Sequence, residues 1–229
     1  MKKLSHLFAS NRAWADRVSS NNPGFFETLA ERQTPEYLWI GCADSRVPAN
    51  EIVDLLPGDV FVHRNVSNLV IHTDMNCLSV LQYAVEVLKV KHIMVVGHYG
   101  CGGVKASIAD EPHGLIDNWL RHIRDIYNKH KLLLSKWQDD VQLDRLCEIN
   151  VVEQANNVCN TTVVREAWAR GQDLTVHSWV YGLHNGLIED LCFTVNGSDN
   201  AEAVFDEAIE KIAAYEGPAH VHTDSCNHD

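Results

Sequence analysis

Two short apolar runs set the frame of this chain. Residues 37–41 (YLWIG) and 92–97 (HIMVVG) are nearly continuous apolar segments, and each breaks off at groups able to bind a metal: Cys42 after the first, His98 and Cys101 after the second. Runs of this length without polar alternation read as strands buried on both faces. A third run, 60–63 (VFVH), lies between them, and residues 74–88 place Leu78, Leu81, Val85 and Leu88 on one helical face. Strand and helix in alternation predict an α/β fold with a mostly parallel central sheet, flanking helices and right-handed crossovers.

The rest of the chain fits that frame. Residues 115–170 read as helical with a break near Asp139 and Asp140, and Leu115, Trp119, His122, Ile123 and Ile126 stripe one face. Residues 174–193 alternate polar and apolar around Asn185-Gly186, which predicts a C-terminal hairpin with an antiparallel edge strand. Residues 201–214 form a last helix. At the other end, Leu4, Leu7, Phe8, Trp14 and Val18 recur at helical spacing, so residues 1–34 read as an N-terminal helical arm. Residues 216–229, with His220, His222, Cys226 and His228, read as a flexible tail. The whole, 1–229, is expected to be one domain.

Composition narrows the function. The formal net charge of -12 argues against nucleic acid and against an anionic membrane surface as partners. No run approaches the roughly 18 apolar residues of a membrane span. The opening segment reads as an amphipathic helix rather than a leader, which predicts a cytoplasmic protein. The seven cysteines are odd in number and widely spread, so thiols or metal ligands are expected rather than a disulfide framework. Cys77, Cys147, Cys159 and Cys192 read as packing residues.

The chemistry concentrates in Cys42-Ala-Asp44-Ser-Arg46 and His98-Tyr-Gly-Cys101. Both follow strand ends, the edge where open α/β sheets place their sites. Two thiolates and an imidazole suit tetrahedral zinc and leave a fourth position. Asp44 is near enough to take that position, and Arg46 is near enough to hold Asp44 away as an ion pair. A closed structural site with Asp44 as fourth ligand and an open catalytic one both remain. The turn GHYGCGG does not complete a G-x-G-x-x-G dinucleotide pattern, because its third glycine position is Lys105. Its glycines suit close backbone approach to a metal.

These motifs, CADSR at 42–46, HRNV at 63–66 and GHYGCGG at 97–103, resemble those of the β-class carbonic anhydrases. The resemblance runs from the N-terminal helix to the last helix. It implies zinc-dependent reversible hydration of carbon dioxide to bicarbonate, one zinc per subunit on Cys42, His98 and Cys101, and an Asp44–Arg46 dyad. It implies a small pocket lined by Gln33, Phe61, Val66 and Tyr83, partly supplied by a neighbouring subunit, hence a homodimer or a tetramer built as a dimer of dimers. Trp39 and Tyr181, with Arg64, Gly41 and Val47, resemble the subgroup called type II, which implies a second, inhibitory bicarbonate site. A carbon disulfide hydrolase on the same fold, or a non-catalytic bicarbonate-binding zinc protein, are the alternatives.

Overall fold

A computed structural model describes residues 3–31 and 33–214. Two compact units divide the chain, with the boundary between Thr34 and Pro35. The expected tail, with His220, His222, Cys226 and His228, lies outside the described residues.

The first unit carries helix α1 (Ser5–Asn21) and helix α2 (Phe25–Glu31). Gly24 adopts φ +85° between them, a left-handed turn that glycine takes at no steric cost. Trp14 packs edge-on to Phe26 at 5.5 Å between ring centroids. Leu7 and Phe8 remain exposed on α1, as does Leu4 just before it.

The second unit is built on five strands: β1 (Tyr37–Cys42), β2 (Val60–Asn65), β3 (His92–His98), β4 (Thr175–Tyr181) and β5 (Ile188–Val195). Their spatial order is β2-β1-β3-β4-β5. The first four are parallel and β5 returns antiparallel to β4. The hairpin forms where Asn185-Gly186 placed it, with Gly186 at φ +74°. Chain order reverses direction between β1 and β3, so a crevice opens beyond their carboxyl ends.

The sheet's two faces differ. Leu38, Ile40 and Cys42 of β1 and Ile93 and Val95 of β3 join the main core, whereas Trp39, Met94 and Val96 join a smaller cluster on the opposite face. That alternation follows from the two-residue period of a strand. The smaller cluster takes Ala49 and Ile52 from the single-turn helix α3 (Ala49–Ile52). The main core is covered by the other α-helices among the described residues: α4 (Met75–Gln82), α5 (Gly102–Ile108), α6 (Ile116–Lys129), α7 (Lys131–Leu134), α8 (Asp139–Cys159), α9 (Thr162–Ala169) and α10 (Ala201–Ala214). Of these, α8 packs along β3, β4 and β5.

Three expectations are refined. The helix read over 74–88 is α-helical to Gln82 and then widens into a π-turn over Tyr83–Leu88, closed by Lys89 at φ +58°. On α6, Leu120, Ile123 and Ile126 face the core, while Leu115 precedes the helix and is exposed. Asp117 caps the turn before it, accepting from the N–H groups of His113 and Gly114. Cys192, read as a packing thiol, is instead disulfide-bonded. It sits half-buried at φ +61° on the edge strand, near an irregularity in the β4–β5 register.

Candidate metal centre

Cys42 is the last residue of β1, His98 the last of β3, and Cys101 the residue that opens α5. Adjacent parallel strands bring the three together across 59 residues of sequence. Their ligand atoms lie within 4.8 Å of one another and all three residues are buried. The two sulfurs are 4.0 Å apart.

The histidine is already oriented. Its Nδ1 lies 2.9 Å from the Tyr99 carbonyl oxygen, which can only accept, so Nδ1 carries the proton. Nε2 is buried with no hydrogen-bond partner. A buried lone pair facing two sulfurs is the donor set of a thiolate–imidazole metal site, with the outer nitrogen fixed as such sites require.

Electrostatics agree. Two neighbouring buried thiols cannot both ionise freely without a cation. The hydrogen bond from Cys42 pulls the Cys101 thiol down, aided by His98 and Ser67. The same contact and burial push Cys42 up. Burial lowers His98, but its contact with Cys101 outweighs this and the net shift is upward. A divalent cation removes the conflict by taking both sulfurs as thiolates.

Asp44 stands beside this set. Its Oδ1 accepts from the Arg46 backbone N–H and Nε, both at 2.9 Å, and its Oδ2 accepts from the outer guanidinium nitrogen at 2.7 Å. That two-pronged bond holds the carboxyl well below the usual carboxylate range. Oδ2 lies 3.8 Å from His98 Nε2, so the carboxylate adjoins the ligand set while engaged by Arg46. Arg64 on β2 donates to the carbonyl oxygens of Cys42 and Asp44 and pins the loop that carries both. Val47 N–H also donates to the Asp44 carbonyl, at 3.1 Å.

The other predicted residues fall into groups. Phe61 and Tyr83 pair, with centroids 5.9 Å apart. Phe61 registers with Leu38, four residues before the Asn65–Cys42 pair, which puts it about 13 Å down the strand from the metal ligands. Within one chain the Phe61 backbone therefore stands four residues short of the ligand-bearing end of the strand. Val66 does come near: a Cβ added to Gly103, two residues past Cys101, would lie 3.0 Å from it. Gln33 is exposed in the first unit. Trp39, Gly41 and Val47 gather on the other face of the sheet, where a Cβ on Gly41 would overlap Trp39 Nε1, and Tyr181 packs in the same cluster.

The sequence did not mark Ser67. Its backbone N–H points at Cys42 Sγ at 3.4 Å and its Oγ at Cys101 Sγ at 3.5 Å. No motif signalled it, since a serine after HRNV is unremarkable.

Comparison with known proteins gives one answer. The carbonic anhydrase family model matches residues 37–188. The carbonic anhydrase of Emericella nidulans is 48% identical over 186 residues, covering 81% of this chain and 82% of that protein. The β-carbonic anhydrase of Coccomyxa, solved with acetazolamide, superposes with a TM-score of 0.86 at 39% identity, over 94% of this chain and 100% of the other. One of two tetrameric β-carbonic anhydrases from Sordaria macrospora gives 0.79 at 39% identity, over 83% of this chain and 97% of the other.

Proposed function

This chain belongs to the β-carbonic anhydrases, zinc-dependent enzymes that reversibly hydrate carbon dioxide to bicarbonate, and we propose that Asp44 and Arg46 are its working dyad beside the metal ligands Cys42, His98 and Cys101. Hydration joins a water oxygen to the carbon of carbon dioxide and releases one proton. Bound zinc supplies the Lewis acidity that makes water nucleophilic near neutral pH. The chain's residues do the positioning. Arg46 holds Asp44 as a carboxylate off the ligand set. The Asp44 oxygen nearest His98 accepts the water's O–H and aims its lone pair at the substrate carbon.

The observation that carries this reading is the Asp44–Arg46 pair beside an unpartnered His98 Nε2. Stopped-flow hydration with a pH indicator, run with metal analysis, tests it. Arg46→Ala is expected to keep zinc and lose at least about 10²-fold in rate. A variant as fast as the parent would refute the dyad.

Phe61 and Tyr83 are assigned to the neighbouring copy's pocket, together with Gln33, while Val66 serves its own. The distance of Phe61 along β2 from the ligands of its own chain and the exposed apolar residues of α1 support a homodimer or dimer of dimers. An active species sedimenting at about 26 kDa would contradict this.

We further propose that bicarbonate binds at Trp39, Arg64 and Tyr181, beside Gly41 and Val47, as in the type II subgroup, and inhibits. Two features support it. Trp39 Nε1 is a buried donor without a partner, which an anion would satisfy. Arg64 is already committed to the metal loop, so an anion drawing its guanidinium would loosen the carbonyls of Cys42 and Asp44. Inhibition requires bicarbonate to prefer the loosened state. Trp39→Phe and Tyr181→Phe should weaken bicarbonate inhibition with zinc retained; unchanged inhibition in both would end the proposal.

A further inference from the structure

A buried helix face that meets a metal loop needs only apolar residues to pack, yet α8 presents amides there. Asn150, Gln154 and Asn157 recur at i, i+4 and i+7. Asn150 Nδ2 donates to the Ser67 carbonyl at 3.2 Å. Gln154 Oε1 accepts from the Val70 N–H at 2.7 Å, and Asn157 Nδ2 donates to the Val70 carbonyl at 3.0 Å. Gln154 Nε2 also donates to Asn150 Oδ1 at 3.1 Å, joining the amides to one another. Asn150 and Gln154 are almost fully buried, so these bonds form out of reach of water.

The segment they grip is strained. Ser67 and Asn68 both adopt left-handed φ, +67° and +49°, although neither is glycine. Asn65 braces the turn from its start, its amide donating to the Leu69 carbonyl at 2.7 Å and its Oδ1 accepting from the Leu69 N–H at 2.8 Å. Two glycines clear room. A Cβ on Gly103 would overlap Ser67 Oγ, and one on Gly97 would overlap Val151 and crowd Asn68. In this conformation the Ser67 N–H and hydroxyl meet the two sulfurs.

We propose that Asn150 is a positioning residue for the metal centre: it holds the Ser67–Asn68 turn in its left-handed form, so that Ser67 directs its N–H at Cys42 Sγ and its hydroxyl at Cys101 Sγ. The inference rests on the zinc assignment to Cys42, His98 and Cys101. Two thiolates donate more charge than imidazoles and so oppose the acidification of water. Hydrogen bonds to the sulfurs withdraw part of that charge. Asn150 thereby acts on the reaction through Ser67 without touching substrate.

The test uses the full chain loaded with zinc, and in parallel with cobalt(II), whose sulfur-to-metal charge-transfer band reports electron density on the thiolates. Asn150→Leu should move that band to longer wavelength and speed zinc release to a chelator about tenfold or more. In a Ser67→Gly background the same Asn150→Leu change should do little, because glycine takes left-handed φ without a clamp. Val158→Ala, a cavity elsewhere on α8, should lower thermal stability and leave the band in place. Should Asn150→Leu not fold, Asn150→Ala carries the same expectations. An unmoved band with parental zinc release in the Asn150 variant, or an equal shift in both backgrounds, overturns the proposal. A parent that takes up no cobalt would instead overturn the metal assignment and this inference with it.

Discussion

Gly103→Ala is the sharpest probe of how tightly the metal centre is packed, because its neighbour Gly102 supplies the control. Both glycines open α5, and neither has positive φ, so the backbone accepts alanine at either. A Cβ at Gly102 meets nothing within 4 Å. There the change is expected to be neutral or to stabilise by up to about 1 kcal/mol, the intrinsic helix preference. At Gly103 the new methyl would overlap Ser67 Oγ and stand 3.0 Å from Val66 Cγ1 and 3.4 Å from Leu120 Cδ2. Leu120 is at ordinary contact, Val66 must give by a few tenths of an ångström, and Ser67 must rotate away. That rotation breaks its contact with Cys101 Sγ. Overpacking of this kind costs about 1–3 kcal/mol, which for a chain of this size lowers Tm by roughly 2–12 °C. Thermal unfolding of parent and both variants at one protein concentration, with zinc release to a chelator, reads both consequences. Gly103→Ala is expected to be less stable than Gly102→Ala and to release zinc faster, and Ser67→Gly should relieve its stability loss. A Gly103→Ala protein as stable as Gly102→Ala, with parental zinc release, would show that the turn at Ser67 is not confined as described.

Three further outcomes follow from the same structure. Arg145 and Glu148 are fully buried, with the Arg145 guanidinium 2.8 Å from both carboxylate oxygens and Tyr99 Oη donating to one of them; Arg145→Met removes the positive charge paired with that carboxylate and should cost about 3–5 kcal/mol, lowering Tm by roughly 6–20 °C, and a parental Tm would refute it. Burial pushes the Glu153 carboxyl up, but hydrogen bonds from His130 and Lys129 outweigh it and its net pKa is lowered. A depressed carboxylate contributes stability above its unfolded value of 4.5 and loses it as pH falls through the lower folded one. Glu153→Gln should therefore cost stability near neutrality and flatten the acid limb of a urea-denaturation profile below about pH 4.5, whereas an unaltered limb would remove Glu153 from that role. Cys42→Ala and His98→Ala should each abolish bound zinc and activity together, and a full zinc complement in both by metal analysis would mean that the ligands lie elsewhere.

What the sequence disclosed and what it hid divide along one physical line. The grouping of Cys42, His98 and Cys101 was legible because each lies at or just past the end of an apolar run, and a parallel sheet carries strand ends to a common edge. The hairpin was legible because Asn185-Gly186 is a local turn signal. The residues that adjust the site were not, because their partners are remote: Asn150 reaches Ser67 across 83 residues and Gln154 reaches Val70 across 84. On paper an Asn, a Gln and an ion pair at three- and four-residue spacing describe the wet face of a helix, yet α8 buries Arg145, Glu148, Asn150 and Gln154. Ser67 escaped for a related reason, since left-handed backbone is advertised by glycine and here it is imposed on serine by contacts from α8. Phe61 and Tyr83 show the opposite limit. Their residue types suit a gas-binding pocket, but strand register holds Phe61 four residues short of Cys42 in its own chain. The register is a property of two paired strands, β1 and β2, whose partnership no single stretch of sequence announces, so residue type alone could not say how far Phe61 stands from the ligands.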